Sequence, residues 1–275
     1  MNAVSVKNLR VLLRSSGKPI LDGISFDIGI GDRLALIGES GSGKSMTALS
    51  LLSLLPPSMK EEGIVHIGDT DMITAAERER NTVRGSFAAI VYQEPLTALD
   101  PLMTVGNQIA GPLKLHRRLT GTAARTEVFR LLDMVKLSDS SRIVSSYPYE
   151  LSGGQRQRIA IAMALACSPR LLIADEPTTA LDVTIQKDIL ALLDELVRDS
   201  GMSLLFITHD LAVAAKISER VAIMQKGKIV ESGSMDDVLS RPAHPYTRQL
   251  LDAAVKVSTV PFLPPDSPET ARGSV

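Results

Sequence analysis

The stretch RLALIGESGSGKSMTALSLLSLL, beginning at Arg33, leaves few folds open. RLALIG is a short, unbroken apolar run and reads as a strand buried on both faces. A glycine-rich octet follows at once: Gly38, Glu39, Ser40, Gly41, Ser42, Gly43, Lys44 and Ser45. Then comes an apolar helical pattern, which Pro56 and Pro57 are expected to terminate. A buried strand that runs straight into a core helix is half of a βαβ unit, and that unit belongs to a mostly parallel sheet. The octet also matches G-x-x-x-x-G-K-[ST] in the strand-to-helix setting the pattern requires. Its glycines let successive N–H groups point into one concavity, and the helix start near Lys44 adds a positive dipole end. The chemistry fits a nucleoside triphosphate, with Lys44 reaching the β- and γ-phosphates and the Ser45 hydroxyl ligating Mg²⁺. A flexible linker of similar composition would not join a buried strand directly to a core helix.

The rest of the chain agrees with an α/β plan. VSVKNLRVLL and ILDGISFDI read as strands of a small antiparallel leading sheet, and FAAIVYQ as a strand ending at Gln93. LLIADE and SLLFITH are further apolar runs with polar C-terminal ends, as parallel strands buried on both faces should be. The segment from about Leu102 to Tyr147 is expected to be mainly helical, and TAARTEVFRLLDMVKL carries a 3.6-residue rhythm. RVAIMQKGKIVESG reads as a closing hairpin with a Lys-Gly turn. The expected organisation is an ATPase-type core over residues 1–250 with a helical subdomain inserted at about 96–165. Residues 251–275, rich in Pro and Ser, are expected to be poorly ordered. In a doubly wound sheet, ligands lie beyond the C-terminal strand ends. The octet, Gln93, Asp175, Glu176 and His209 all fall there.

Each of these residues has a role suited to its chemistry. Asp175 would hold the Mg²⁺ shell and Glu176 would orient and deprotonate an attacking water. Alone, LLIADEP would be a strand end with an acidic turn; the phosphate cradle upstream reverses that judgement. His209 could contact the γ-phosphate and hold the water, and it precedes Asp210, a fitting helix N-cap. Gln93 could touch both Mg²⁺ and the water.

A second glycine motif, LSGGQRQR from Leu151, has no lysine and no preceding strand. Ser152 can cap a helix or donate its hydroxyl, the amides of Gly153 and Gly154 can approach a phosphate, and a helix start at Gln155 adds a dipole. Two phosphate-type sites this far apart in one chain are reconciled if two copies face head to tail. Each then closes Ser152, Gly153, Gly154 and Gln155 over the triphosphate held by the other. Asp182, in the ALD stretch after the carboxylates, would lie at that interface.

Composition removes several classes. Lys and Arg number 30 against 31 Asp and Glu, so no global positive field argues for nucleic acid, and none is expected as partner. KLHRR at Lys114 to Arg118 reads as a solvated surface. The sole cysteine, Cys167, excludes an internal disulfide and cysteine-based metal sites. The longest apolar runs, such as IAIAMALAC, fall short of the ~20 residues that cross a bilayer.

Taken together, GESGSGKS, Gln93, LSGGQ, LLIADE, ALD and His209 resemble, in identity and order, the nucleotide-binding subunits of ATP-binding cassette (ABC) transporters, over roughly residues 4 to 250. The resemblance makes these the Walker A loop, Q-loop glutamine, signature, Walker B strand, D-loop and switch histidine. YQEPLTALDP and RPAHPYTRQLL resemble segments of the dipeptide, oligopeptide and nickel importer group. Without that likeness, His244-Pro245-Tyr246 is only a proline-containing turn before a short helix. The resemblance implies an ATPase using ATP and Mg²⁺, peripheral on the cytoplasmic face of the membrane. Its implied partners are a second similar ATPase, two transmembrane permease subunits and, indirectly, an extracytoplasmic solute-binding protein. Import of peptides, nickel or a related solute follows; a soluble ABC ATPase acting on ribosomes or DNA is the alternative. Two departures stand out. NLRVLLR offers Leu13 and no aromatic before Phe26 to stack on adenine, and the C-terminal cysteine cluster of many peptide importers is missing.

Overall fold

The computed structural model describes residues 2–94, 98–179 and 181–257. Among them the strands form two sheets. The leading sheet contains β1 (Asn2–Leu13), β2 (Pro19–Gly29), β4 (Met59–Ile67) and β5 (Thr70–Asp71), in the order β2-β1-β4-β5 with antiparallel pairing. The larger sheet has the order β10-β9-β3-β8-β7-β6. It is built from β3 (Arg33–Ile37), β6 (Ala88–Val91), β7 (Leu171–Asp175), β8 (Ser203–Thr208), β9 (Arg220–Gln225) and β10 (Lys228–Ser234). Every pairing in it is parallel except β9 with β10.

The continuous apolar runs are explained by burial on both faces. In β7 and β8, Leu172, Ala174, Leu204 and Phe206 enter one core, while Leu171, Ile173, Leu205 and Ile207 enter another. The first core lies against the helices of the middle of the chain: α3 (Val105–Arg117), α4 (Gly121–Met134), α5 (Ser140–Ser145) and α6 (Gly153–Leu165). The second is shared with the leading sheet and with α1 (Lys44–Leu51). Residues such as Leu9, Leu21, Ile24 and Leu51 are fully buried there, each worth about 1.5–3 kcal/mol of transfer free energy. A short helix α2 (Glu77–Val83) precedes β6.

The later helices are punctuated by local caps, of which only that at Asp210 was expected. α7 (Val183–Ser200) begins at Asp182, whose carboxylate accepts from the amides of Thr184 and Ile185 at 3.1 and 3.0 Å. It ends at Gly201, in the left-handed conformation that closes helices. α8 (Leu211–Ile217) begins at Asp210, which accepts from Ala212 and Val213 at 2.8 and 3.1 Å. Such caps contribute about 1 kcal/mol each. The β9–β10 hairpin turns on Lys226 and Gly227, both at positive φ (48° and 79°), as a type I′ turn needs. Helices α9 (Met235–Ser240) and α10 (Pro245–Val257) complete the described chain.

Some expectations need correction. α1 stops at Leu51, ahead of Pro56, because Ser53 turns left-handed (φ 51°) and the Leu54 amide donates back to the Leu49 carbonyl at 2.9 Å. The strand expected to reach Gln93 ends at Val91. β4 was not foreseen: MKEEGIVHI is charged and only two of its residues are buried, so it lacks the alternation that marks a half-buried strand. α10 runs to Val257, past residue 250; residues 258–275, most of the Pro- and Ser-rich tail, lie outside the described residues. No helix among the described residues is long and apolar enough to cross a membrane.

Candidate functional site

Four parallel strands end at one edge of the larger sheet. Gly38 follows β3, Gln93 lies two residues beyond β6, Glu176 follows β7 and His209 follows β8. All four line a single open cleft of about 730 Å³, with Glu39, Ser40, Gly41, Gly43, Lys44, Ser45 and Thr179. Sequence positions from 38 to 209 are thus brought together by parallel register alone.

The octet folds as a tight loop entering α1 through Gly43, whose φ of 109° suits glycine only. A methyl group there would meet Leu21 Cδ2 at 2.7 Å. The hairpin turn supports the loop from behind, the Gly227 amide donating to the Ser42 carbonyl at 2.8 Å. Lys44 is buried, at 5% exposure. Its ammonium donates to the Gly38 and Glu39 carbonyls at 2.8 and 3.1 Å and pairs with Glu176 Oε1 at 3.4 Å. The cation is therefore held on the axis of the cradle by its own backbone.

Glu176 has a backbone φ of 45°, uncommon for a residue with a side chain, and its amide donates to the Ile207 carbonyl at 2.9 Å. Conformations of this kind cost about 1–3 kcal/mol and persist where surrounding contacts impose them. Here the Thr179 hydroxyl donates to Glu176 Oε2 at 3.0 Å, and His209 Nδ1 lies 3.3 Å from the same oxygen. His209 is largely exposed, facing the mouth of the cleft. The carboxylate is thus fixed between a lysine and a histidine, poised to orient a small polar molecule.

Asp175 is buried, and its Oδ1 has no hydrogen-bond partner. Burial pushes its carboxyl up, with Glu176 adding to the rise and the Ser45 hydroxyl and Lys44 opposing it. Asp175 is not among the residues lining the cleft, but its orphaned oxygen lies beside the hydroxyl of Ser45, which with Gln93 does line it, and together they are a hard-oxygen donor set of the kind Mg²⁺ takes. Among the described residues no group of three or more His, Cys, Asp or Glu could hold a metal.

The second glycine motif stands elsewhere. Ser152, Gly153, Gly154 and Gln155 are not among the residues lining the cleft. Ser152 caps α6 in a closed capping box: its hydroxyl accepts from the Gln155 amide at 3.3 Å, and Gln155 Oε1 accepts from the Ser152 amide at 3.0 Å. Added methyl groups at Gly153 and Gly154 would lie 3.3 Å from Leu181 Cδ2 and 2.8 Å from Ile185 Cγ2. The paired glycines therefore let α6 start against the first turn of α7. Asp182, expected at an interface, caps that same turn of α7; Ala180 lies outside the described residues. Pro95, Leu96 and Thr97 of the YQEPLTALDP segment do as well.

Five residues of this region were not assigned from sequence. Leu13 is absent from the cleft lining, and the apolar residues there are Ile20, Met46 and Leu250. Thr179 holds Glu176, and Tyr246, buried at 4% exposure, accepts from the Glu39 amide at 3.1 Å. Only Tyr246 had a sequence signal, the His-Pro-Tyr segment.

Comparison with known proteins agrees with this geometry. Residues 21–179 match the family described as "ABC transporter". The chain is 49% identical over 257 residues to "Peptidoglycan transport ATP-binding protein YejF" of Agrobacterium fabrum, covering 92% of this chain and 47% of that protein. It is 43% identical over 258 residues to "Dipeptide transport ATP-binding protein DppD" of Bacillus subtilis, covering 92% of this chain and 77% of that one. It thus spans about half the length of the first relative, 47% of it. Among solved structures, "Dimeric structure of a post-hydrolysis state of the ATP-binding cassette MJ0796 bound to ADP and Pi" superposes with a TM-score of 0.75 at 30% identity, over 84% of this chain and 98% of that one. With a family match across more than half of its residues and a nucleotide-type cradle at the matched strand ends, the chain belongs to the ABC transporter family.

Proposed function

We propose that this chain is the ATP-hydrolysing subunit of a membrane importer for peptides or a related small solute, nickel included. The observation that carries this is the convergence of Lys44, Gln93, Glu176 and His209 in one cleft at the strand ends. In this reading the Gly38–Ser45 loop cradles the triphosphate, and Lys44 leaves Glu176 to neutralise the β- and γ-phosphates. Freed from the lysine, Glu176 accepts the proton of the attacking water, while His209, within reach of the same carboxylate, holds the water against the γ-phosphate. Ser45, Gln93 and Asp175 would hold Mg²⁺, which would supply positive charge to offset the negative charge developing in transfer.

Ser152, Gly153, Gly154 and Gln155 lie outside this cleft, which supports the reading that they serve the nucleotide of a second cassette, identical or similar. Asp182 would lie near the same junction. The helical subdomain, about 96–165, would dock the chain on the cytoplasmic side of two transmembrane subunits, an extracytoplasmic binding protein delivering the solute to them. The names of the relatives, peptidoglycan transport and dipeptide transport, support this solute class. The test is hydrolysis of Mg-ATP by the purified chain, its loss in Lys44→Ala, and recovery of the tagged chain with integral membrane subunits from solubilised membranes. Recovery with ribosomes or DNA in place of membrane subunits would overturn the importer reading.

A further inference from the structure

We infer that Tyr246, from the C-terminal His-Pro-Tyr segment, is a positioning residue of the phosphate cradle. Its hydroxyl fixes the Gly38–Glu39 peptide through which the loop leaves β3. The inference rests on the nucleotide lying in that cradle, as proposed above.

The peptide unit joining Gly38 to Glu39 is gripped at both of its polar ends. Its carbonyl, on Gly38, accepts from Lys44 Nζ at 2.8 Å, and its N–H, on Glu39, donates to Tyr246 Oη at 3.1 Å. When Lys44 turns to a triphosphate, the carbonyl end loses its partner. The tyrosine end then alone holds the peptide plane, and with it the direction of the loop amides that follow. A cradle whose amides keep their direction before and during binding loses less conformational freedom when the anion arrives.

Tyr246 is itself held on several sides, as an anchor must be. The amides of Ala243 and His244 donate to Glu231 Oε1 and Oε2 of β10 at 2.8 and 3.0 Å, clamping the segment to the sheet. The Tyr246 amide donates to His244 Nδ1 at 3.2 Å. Arg248 donates back to the carbonyls of Pro242 and Ala243 at 3.1 and 3.0 Å. The ring packs in a core with Ala35 and Ile37 of β3, Leu211 of α8 and Ile223 of β9. One turn on, Leu250 reaches the lining of the nucleotide cleft itself. Glu231, His244 and Tyr246 therefore form a chain of contacts from β10 to the first peptide of the cradle.

Tyr246→Phe keeps the ring and removes only the hydroxyl. In the full-length chain, titrated with Mg-ATP, it is expected to raise both Kd and KM about fivefold, the loss that corresponds to one neutral hydrogen bond. kcat should fall less than KM rises, and amide exchange in the peptide spanning Gly38 to Ser45 should quicken. Glu231→Gln should shift Kd in the same direction, and the double variant should be no weaker than the worse single one. A Tyr246→Phe protein that binds Mg-ATP within twofold of wild type, or a double variant whose losses multiply, overturns the inference. Lys44→Ala in the same titration separates the two levels. If it binds like wild type, the nucleotide reading of the cradle fails; if it loses binding while Tyr246→Phe does not, only the role of Tyr246 fails.

Discussion

The chain presents two glycine-rich helix starts, and they are built in opposite ways. At Gly43 the loop turns through a φ that only glycine adopts readily, is backed by the β9–β10 turn, and is centred on a buried lysine. At Ser152 the helix start is relaxed. Its cap is satisfied within the chain, and its glycines serve contact with α7. In the proposed function, the first keeps its amides aimed at a ligand and supplies the countercharge. The second offers a dipole end and two small residues with no cation of its own, which is what a lid over someone else's phosphate needs. A helix dipole is worth only about 0.3–1 kcal/mol on an exposed surface, so the Ser152 end would hold little anion unaided.

The largest effect that sharpens this contrast lies on the cradle side. Glu176→Gln is expected to cut turnover by about 10²–10⁴-fold while Mg-ATP binding survives, because the carboxylate acts on the water and not on affinity. Near-normal turnover would move the base elsewhere. Next comes Ser152→Ala. Measured as thermal unfolding of the isolated chain, it should lose about 1 kcal/mol of capping. Measured as turnover in the assembled pair, it should lose about 10²-fold, the usual scale for one donor aimed at developing charge. If turnover falls no further than stability predicts, the lid reading breaks and Ser152 is only a cap.

Stability distinguishes the glycines. Gly43→Ala forces a side chain to φ 109° and into Leu21, and should cost about 2 kcal/mol by denaturant titration. Gly153→Ala meets Leu181 at 3.3 Å on a helix already formed, and should stay within about 0.5 kcal/mol. Equal costs would erase the difference in strain. An effect smaller than that of Gly43→Ala concerns two helices of the middle of the chain. Glu127 joins α4 to α3 through Arg117, at 2.6 Å, and accepts from Arg130 of its own helix. The hydrogen bond from Arg130, opposed by partial burial and joined by Arg117, holds its carboxyl at about 2. The folded-state value lies below the unfolded one. The stabilisation is therefore present above about pH 4.5 and drains away as pH falls toward 2. With Arg130 half exposed, Glu127→Gln should cost about 1 kcal/mol at neutral pH and flatten that acid slope. An unchanged acid slope would show that the pair contributes nothing.

Much of the molecule was legible before its structure because parallel strands advertise themselves. Burial on both faces turns β3, β7 and β8 into unbroken apolar runs, and polar residues just past their ends, Glu39, Glu176 and His209, line the cleft. The cap at Asp210 and the Lys226-Gly227 turn were legible for a similar reason: their chemistry is local. β4 was hidden because a strand paired through backbone hydrogen bonds can carry charged side chains. The end of α1 was hidden because a single left-handed serine, and not the prolines, closed it.

What the order of residues determined is the set of parts: a cradle needs glycines beside a lysine, and those needs are met within eight positions. What only the tertiary structure decided is which parts meet. Tyr246 and Glu39 are 207 positions apart, and no periodicity links them. Their hydrogen bond exists because β10 returns beside β9, Glu231 clamps the segment that follows, and α10 is thereby delivered to the end of β3. Likewise Ser152 is separated from the cradle by the packing of α6 on α7, a long-range arrangement that no short stretch of sequence encodes.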